Sequence, residues 1–165
     1  SIARRLPFWY IRRCHVDYRQ IIMHKVYLGL GTNLGDKEAN LKTAFEEIRK
    51  RVGEVTSQSA FYASEPWGFE SDNSFLNAVC CVHTDLSPME LLFMTQEIER
   101  ELGRTKKSVG GIYSDRMIDI DILLYDDLRI HTPELTIPHP LMWKRNFVMI
   151  PLHEIAPQIT PSSFQ

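Results

Sequence analysis

Two aspartates separated by one residue, Asp119 and Asp121, have the types and the spacing that best fit catalysis in this sequence. The surrounding segment, Ile118-Asp-Ile-Asp-Ile122, alternates apolar and polar residues, which predicts a β-strand. Residues i and i+2 of a strand point to the same face, so the carboxylates are expected side by side, with Cα atoms about 7 Å apart. Such a pair repels unless it is solvated, paired with basic side chains or bridged by cations. An isolated Asp-x-Asp is most often the solvated face of a strand.

A basic, glycine-containing loop, residues 104–114, precedes the aspartates. It contains Arg104, Lys106 and Lys107, and Arg116 follows it. A cationic loop can close over a polyphosphate and neutralise the charge that develops in the transition state. Alone, it would be interpreted as a solvated surface loop. Together with the carboxylate pair, it predicts a phosphoryl-transfer site with two bridged Mg²⁺ ions.

The elements that must position these groups follow the order β-α-β-β-α-β. We expect strands over residues 25–30, 54–63, 75–82 and 117–125, and helices over residues 36–53 and 87–103. The order is typical of the ferredoxin-like split βαβ fold, an α+β architecture with both helices on one face of an antiparallel sheet. The proline-containing tail is expected to add a small strand at residues 135–137 and short helices near Leu141 and residues 151–155, covering the other face or an edge.

Capping residues mark the second helix most clearly. Ser87 is placed at the N-cap, Pro88 at the first helical position and Glu90 three residues after the cap, which is a capping box. Gly53 is interpreted as the C-terminal cap of the first helix. The segment Gly29-Leu-Gly-Thr-Asn-Leu-Gly35 is interpreted as a tight strand-to-helix turn, because it matches neither the dinucleotide fingerprint nor a P-loop.

Composition restricts the classes of function. The chain has 165 residues, 44% of them hydrophobic, and a formal net charge of −2. These values predict one globular domain and argue against overall disorder and against a general nucleic-acid binder. No apolar run approaches the roughly 20 residues that cross a bilayer. The three cysteines, two of them adjacent at positions 80 and 81, argue for free thiols and a reducing, cytoplasmic location.

Charge is distributed unevenly along the chain, because residues 1–24 contain five arginines and one acid. We interpret this segment as a basic N-terminal extension, with Met23 as a candidate natural start. A docking arm and an anion-binding tail are the alternatives. Residues 25–165 are expected to form the functional domain.

Taken together, several segments resemble the 6-hydroxymethyl-7,8-dihydropterin pyrophosphokinase family of folate biosynthesis. The segments are YLGLGTNLGD (27–36), FYASEPWG (61–68), FLNAV (75–79), QEIERELGR (96–104), DRMIDIDILLY (115–125) and LTIPHPLMWKRNFV (135–148). The resemblance implies a ferredoxin-like domain that uses ATP and two Mg²⁺ ions. It implies transfer of diphosphate from ATP to the hydroxymethyl group of the reduced pterin, with release of AMP.

The resemblance also implies roles for individual residues. Asp119 and Asp121 match the metal ligands, and Arg104, Lys106 and Arg116 match basic residues that contact the phosphates. The matched ATP-binding positions are Gln96, Glu99, Arg116, Ile122, Thr136, His139 and Arg145. The matched pterin-binding positions are Ser64, Trp67, Phe75, Asn77, Tyr113 and Phe147. Phe75 and Phe147 are expected to sandwich the pterin ring, and the Asn77 amide can offer it a donor and an acceptor.

Two other classes of function remain open from the residues alone. A non-enzymatic RNA-binding sheet is disfavoured, because the strands lack the aromatic and basic pattern of such sheets and paired acids repel phosphate. A nucleotidyl transferase or nuclease could use the same aspartates, and it differs in its products. The resemblance implies ATP and the pterin as partners, with no nucleic acid or membrane, and the expected state is a monomer.

Overall fold

The computed structural model describes residues 23–64, 74–103 and 117–164. Its main element is an antiparallel sheet in the order β2-β4-β1-β5, with β3 beside β4. The strands are β1 (His24–Thr32), β2 (Gly53–Gln58), β3 (Tyr62–Ser64), β4 (Phe75–Thr84) and β5 (Asp119–Tyr125). The helices are α1 (Lys37–Arg51), α2 (Pro88–Gly103) and α3 (Asn146–Ile155). The chain also forms a small hairpin, β6 (Ile130–His131) with β7 (Thr136–Ile137), and 3₁₀ helices over Met142–Lys144 and Pro161–Phe164.

The predicted ferredoxin-like α+β fold is confirmed. Helices α1 and α2 pack on one face of the sheet, which the even-numbered residues of β1 and β4 cover with apolar side chains. Phe45 and Ile48 of α1 and Leu91 and Ile98 of α2 are buried in this layer. On the opposite face, α3 buries Val148 and Leu152 against odd-numbered residues of β1 and β4 and against Leu123 and Leu124 of β5. The expectation that the tail covers the second face is therefore also confirmed.

The predicted caps have different outcomes. The capping box of α2 is confirmed, since the Glu90 amide donates to Ser87 Oγ at 3.2 Å and the Ser87 amide donates to a Glu90 carboxylate oxygen at 3.0 Å. The prediction for Gly53 is wrong, because Val52 caps α1 and Gly53 begins β2. A Cβ at position 53 would lie 2.0 Å from the backbone oxygen of His83. Close approach of two strands therefore explains this glycine.

Several predicted boundaries move. The strand expected over residues 54–63 is two strands, β2 and β3, which both pair with β4. Strand β1 continues through Thr32, so Gly29 and Gly31 lie inside the strand and the turn interpretation is wrong for them. The fourth strand begins at Asp119 rather than at residue 117. An alternating pattern of apolar residues predicts that a strand exists but does not show at which residues its backbone pairing begins and ends, which explains these shifts.

A β-bulge interrupts the pairing of β1 with β5. Leu28 pairs with Ile122 and Tyr27 pairs with Leu124, so Leu123 is an extra residue in β5. Leu123 and Leu124 both pack in the core on the α3 side, whereas Ile122 and Tyr125 pack on the α1–α2 side. The bulge therefore reverses the alternation of β5 between its two ends.

Cys80 and Cys81 are free thiols buried in the middle of β4. Burial strongly raises the pKa of the Cys80 thiol, which keeps it protonated and unreactive at neutral pH. None of the helices in the described ranges has the length and the apolar content needed to cross a bilayer.

Candidate active site

The candidate site lies on the α3 side of the sheet, at the end of β1 where the residues facing this side are Gly29 and Gly31. Gly29 pairs with Asp121 and Gly31 pairs with Asp119, so both aspartates project beside glycines of the neighbouring strand. Helix α3 covers this face farther along, near Tyr27 and Leu123. The glycines therefore leave an open floor between the aspartates and β4.

Asp119 and Asp121 lie on one face of β5, as the sequence predicts. Asp121 is exposed and Asp119 is half-buried. The described residues include no cluster of three or more His, Cys, Asp or Glu side chains that could hold a metal ion. A pair of carboxylates nevertheless suits Mg²⁺, which commonly takes one or two carboxylates and completes its octahedron with water and substrate phosphates. The donor set therefore fits ions that bind together with a polyphosphate.

A smaller cavity, of about 250 Å³, opens on this glycine floor. The pterin-site predictions that fall within the described residues all line it: Ser64, Phe75, Asn77 and Phe147. They come from three elements, β3, β4 and α3. Aromatic side chains on two of these elements and polar ones on β3 and β4 are suited to a flat, polar-edged ring.

The Asn77 side chain is held in one orientation. Its Nδ2 donates to the Ser64 hydroxyl at 2.7 Å and to the Tyr62 backbone oxygen at 3.2 Å. The residue is only 4% exposed, and its Oδ1 lies next to Gly31. Both amide protons are therefore used within the part of the chain that the structure describes, which leaves Oδ1 as the atom of this amide suited to accept from a ligand. This differs from the sequence expectation, in which the amide offers a donor as well.

Arg145 lies at the smaller cavity, although the resemblance implied an ATP contact for it. Its guanidinium carbon is 5.5 Å from the centroid of the Phe147 ring, a cation–π contact. Its positive charge also helps to lower the pKa of His139. Arg145 is therefore close to the residues of both cavities.

A larger cavity, of about 730 Å³, lies between α2, the beginning of β5 and the β6–β7 hairpin. Its lining includes five of the predicted ATP-site residues: Gln96, Glu99, Ile122, Thr136 and His139. Asp121 also lines this cavity, and it lines the smaller one as well. The two cavities therefore meet at a carboxylate of the predicted metal pair.

His139 is fixed at the wall of the larger cavity. Its backbone amide donates to the Leu123 oxygen at 2.9 Å, and its Nδ1 accepts the Leu141 amide at 3.2 Å. Burial lowers the pKa of His139, and the charge of Asp121 opposes that effect. A neutral ring that accepts at Nδ1 carries its proton on Nε2.

Five predicted site residues lie outside the described residues: Trp67, Arg104, Lys106, Tyr113 and Arg116. Other residues line the cavities without having been predicted, among them Gly29, Gly31, Arg100, Pro133 and Leu135. For the two glycines a signal existed, because glycines at i and i+2 of a strand leave one face bare and allow close approach.

Comparison with known protein families supports a specific assignment. Residues 27–157 match the profile of the 7,8-dihydro-6-hydroxymethylpterin-pyrophosphokinase family. The chain is 52% identical over 139 residues to the 2-amino-4-hydroxy-6-hydroxymethyldihydropteridine pyrophosphokinase of Porphyromonas gingivalis, covering 84% of this chain and 95% of that protein. It is 43% identical over 137 residues to the enzyme of the same name from Aquifex aeolicus, covering 83% of each.

Solved structures share the fold at lower identity. A crystal structure of an HPPK-DHPS protein in complex with substrates superimposes with a TM-score of 0.69 at 16% identity, over 87% of this chain. The Plasmodium falciparum HPPK-DHPS variant A437G gives a TM-score of 0.68 at 18% identity, over 84% of this chain. The chain spans only 42% and 43% of those longer proteins, so the likeness concerns one domain of each.

Proposed function

The chain belongs to the 7,8-dihydro-6-hydroxymethylpterin-pyrophosphokinase family and is an ATP-using pyrophosphokinase of folate biosynthesis, and we propose that it transfers diphosphate where its two cavities meet at Asp121. The larger cavity holds ATP and the smaller one holds 6-hydroxymethyl-7,8-dihydropterin. The shared carboxylate is the observation that carries this arrangement, because phosphoryl transfer needs donor and acceptor at one point.

The smaller cavity orients the pterin. Phe75 and Phe147 contact the faces of the ring, and Asn77 Oδ1 accepts from an N–H group on its edge. Ser64 supports this orientation, since its hydroxyl accepts one of the two Asn77 amide protons. A ligand held between rigid aromatic and polar groups keeps its hydroxymethyl group in a fixed direction.

The phosphates extend from the larger cavity toward Asp121. Asp119 and Asp121 would hold two Mg²⁺ ions, which would supply neutralisation and alignment of the phosphate charges. Arg104, Lys106 and Arg116 add positive charge around the polyphosphate. The hydroxymethyl oxygen attacks the β-phosphorus in line and releases its proton to water, while the bond from the β-phosphorus to the α–β bridging oxygen breaks and AMP leaves with that oxygen.

We also propose in which domain, oligomeric state and compartment the reaction takes place. Residues 25–165 form the pyrophosphokinase domain, which acts as a monomer in the cytoplasm without nucleic-acid or membrane partners. Light scattering of the full chain tests the monomeric state, since a dimer would have twice the measured mass.

Product analysis tests the reaction. The full chain is incubated with ATP, MgCl₂ and the hydroxymethyl pterin, and the products are separated by chromatography. AMP and a diphosphorylated pterin in equal amounts support the proposal. Release of pyrophosphate would instead indicate nucleotidyl transfer, and release of ADP would indicate transfer of a single phosphoryl group.

A further inference from the structure

A buried threonine outside both cavities joins the beginning of β5 to the end of β1. Thr32 is 1% exposed, and its hydroxyl donates to the backbone oxygen of Met117 at 2.5 Å. The two residues are 85 positions apart in the chain. Thr32 lines neither cavity, whereas Met117 lines the larger one.

A second side chain sets the direction of this hydrogen bond. Asn40 of α1 donates through Nδ2 to Thr32 Oγ1 at 3.3 Å and to the Leu34 backbone oxygen at 2.7 Å. Thr32 Oγ1 accepts a hydrogen bond from Asn40 Nδ2, so the single proton of the hydroxyl can be donated to the backbone oxygen of Met117. The chain of bonds therefore connects α1, the end of β1 and the segment that enters β5.

The connection lies next to the aspartate pair. The last paired residues of β1 and β5 are Gly31 and Asp119, and Thr32 and Met117 lie just beyond them. The hydrogen bond from the Thr32 side chain thus connects the two strands beyond the last residues that pair through their backbones. Removing this bond would loosen the entry of β5 at Met117, two residues before Asp119.

We propose that Thr32 is a positioning residue that fixes the Asp119 end of the carboxylate pair through its hydrogen bond to Met117. This inference rests on the proposed function, because it assumes that the aspartates act in diphosphate transfer. Outer-shell groups that orient metal ligands typically change affinity or activity about 10- to 100-fold when they are lost. A displacement of about 1 Å in a reacting assembly can have an effect of similar size.

The test compares three variants of the full chain. Thr32→Val removes the hydroxyl but keeps the shape, and Thr32→Ser keeps the hydroxyl. Thr84→Val is the matched control, since Thr84 is fully buried and its hydroxyl donates to the Val52 oxygen at 2.7 Å. Thr84 pairs with His24, at the opposite end of β1 from the site.

The measurements are kcat, KM for each substrate, the melting temperature, and calorimetric binding of a nonhydrolysable ATP analogue with Mg²⁺. We expect Thr32→Val to lower kcat by about tenfold or more and to weaken binding of the Mg²⁺-nucleotide. The KM for the pterin should change little. Thr32→Ser should restore kcat, and Thr84→Val should lose stability with kcat unchanged.

Four results separate the possibilities. Equal kcat in Thr32→Val and wild type, or equal losses in Thr32→Val and Thr84→Val, would overturn the positioning role. If Thr32→Val does not fold, Asn40→Ala decides the question, because it keeps the hydroxyl and removes the group that directs it. A normal kcat and normal nucleotide binding in folded Asn40→Ala would then overturn the proposal. An inactive wild type would instead count against the proposed function.

Discussion

Gly31 and Asn77 are paired across β1 and β4, and a Cβ added to Gly31 would lie 3.0 Å from Asn77 Oδ1. The Asn77 amide cannot move without loosening its bonds to Ser64 and Tyr62. The pterin-facing acceptor of the proposed site therefore depends on the absence of a side chain on the neighbouring strand.

We accordingly expect Gly31→Ala to raise the KM for the pterin several-fold, since a misplaced acceptor weakens one hydrogen bond by about 1 kcal/mol. The KM for ATP should change less. Gly29→Ala is the comparison, because the nearest atoms to its Cβ would belong to the Leu123 side chain, in ordinary contact from 3.4 Å. Steady-state kinetics with each substrate varied in turn provide the measurement. Equal effects of the two substitutions would show that filling the cavity, rather than moving Asn77, is responsible.

Replacing either aspartate of the proposed metal pair should abolish most turnover while preserving the fold. For Asp119→Asn and Asp121→Asn we expect kcat to fall about 100-fold or more, as happens when charge stabilisation of a transition state is lost. Asp127→Asn serves as the control, because Asp127 is an exposed acid just after β5. Near-normal kcat in either site variant would contradict the two-metal proposal.

Removal of divalent cations should reproduce that loss reversibly. Dialysis against EDTA is expected to stop release of AMP, and added MgCl₂ should restore it. Circular dichroism should remain unchanged throughout, since the sheet and its two cores are built from apolar side chains. Full activity in EDTA would exclude a role for the ions.

The aromatic wall of the smaller cavity gives a prediction that separates the substrates. Phe147→Leu keeps apolar volume but removes the ring, and aromatic stacking contributes about 0.5–1.5 kcal/mol. The KM for the pterin should rise up to about tenfold, with the KM for ATP nearly unchanged. Gln96→Ala, at the larger cavity, should give the opposite pattern. If Phe147→Leu and Gln96→Ala both change the KM for the same substrate, the assignment of one substrate to each cavity is contradicted.

The capping box of α2 predicts a dependence of stability on pH. The Ser87 backbone amide, followed by its hydroxyl, lowers the pKa of Glu90. Because the pKa is lower in the folded state, this stabilisation is present above the pKa of the unfolded chain and is lost as the pH falls through the folded value. Glu90→Gln should remove this acid-dependent part while retaining the cap near neutral pH.

Urea unfolding of wild type and Glu90→Gln at neutral and acidic pH measures this effect. Glu46→Gln, an exposed acid of α1, is the control. If Glu90→Gln loses as much stability in acid as the wild type does, the lowered pKa of Glu90 makes no contribution.

The fold and the aspartate pair could be predicted because their signals are local, whereas the other predicted cavity residues followed from the family resemblance. The capping box, the helical spacing of Leu91 and Ile98 and the Asp-x-Asp alternation can each be recognised within a few residues. The Asn77 orientation could not be predicted, since it depends on Ser64 and Tyr62 of another strand. Gly53 was misassigned for the same reason, because its neighbour, His83, is 30 positions away.

The bulge at Leu123 has a consequence for any insertion or deletion in β5. Side chains of a strand exchange faces with each shift of one residue. Deleting Leu123 would remove the extra residue and leave Ile122 and Leu124 on opposite faces of a regular strand, so both aspartates would stay on the α3 side. One residue inserted between Asp121 and Ile122, with Tyr125 kept in the core, would instead turn both carboxylates toward the helices, although every residue proposed to touch a substrate would still be present.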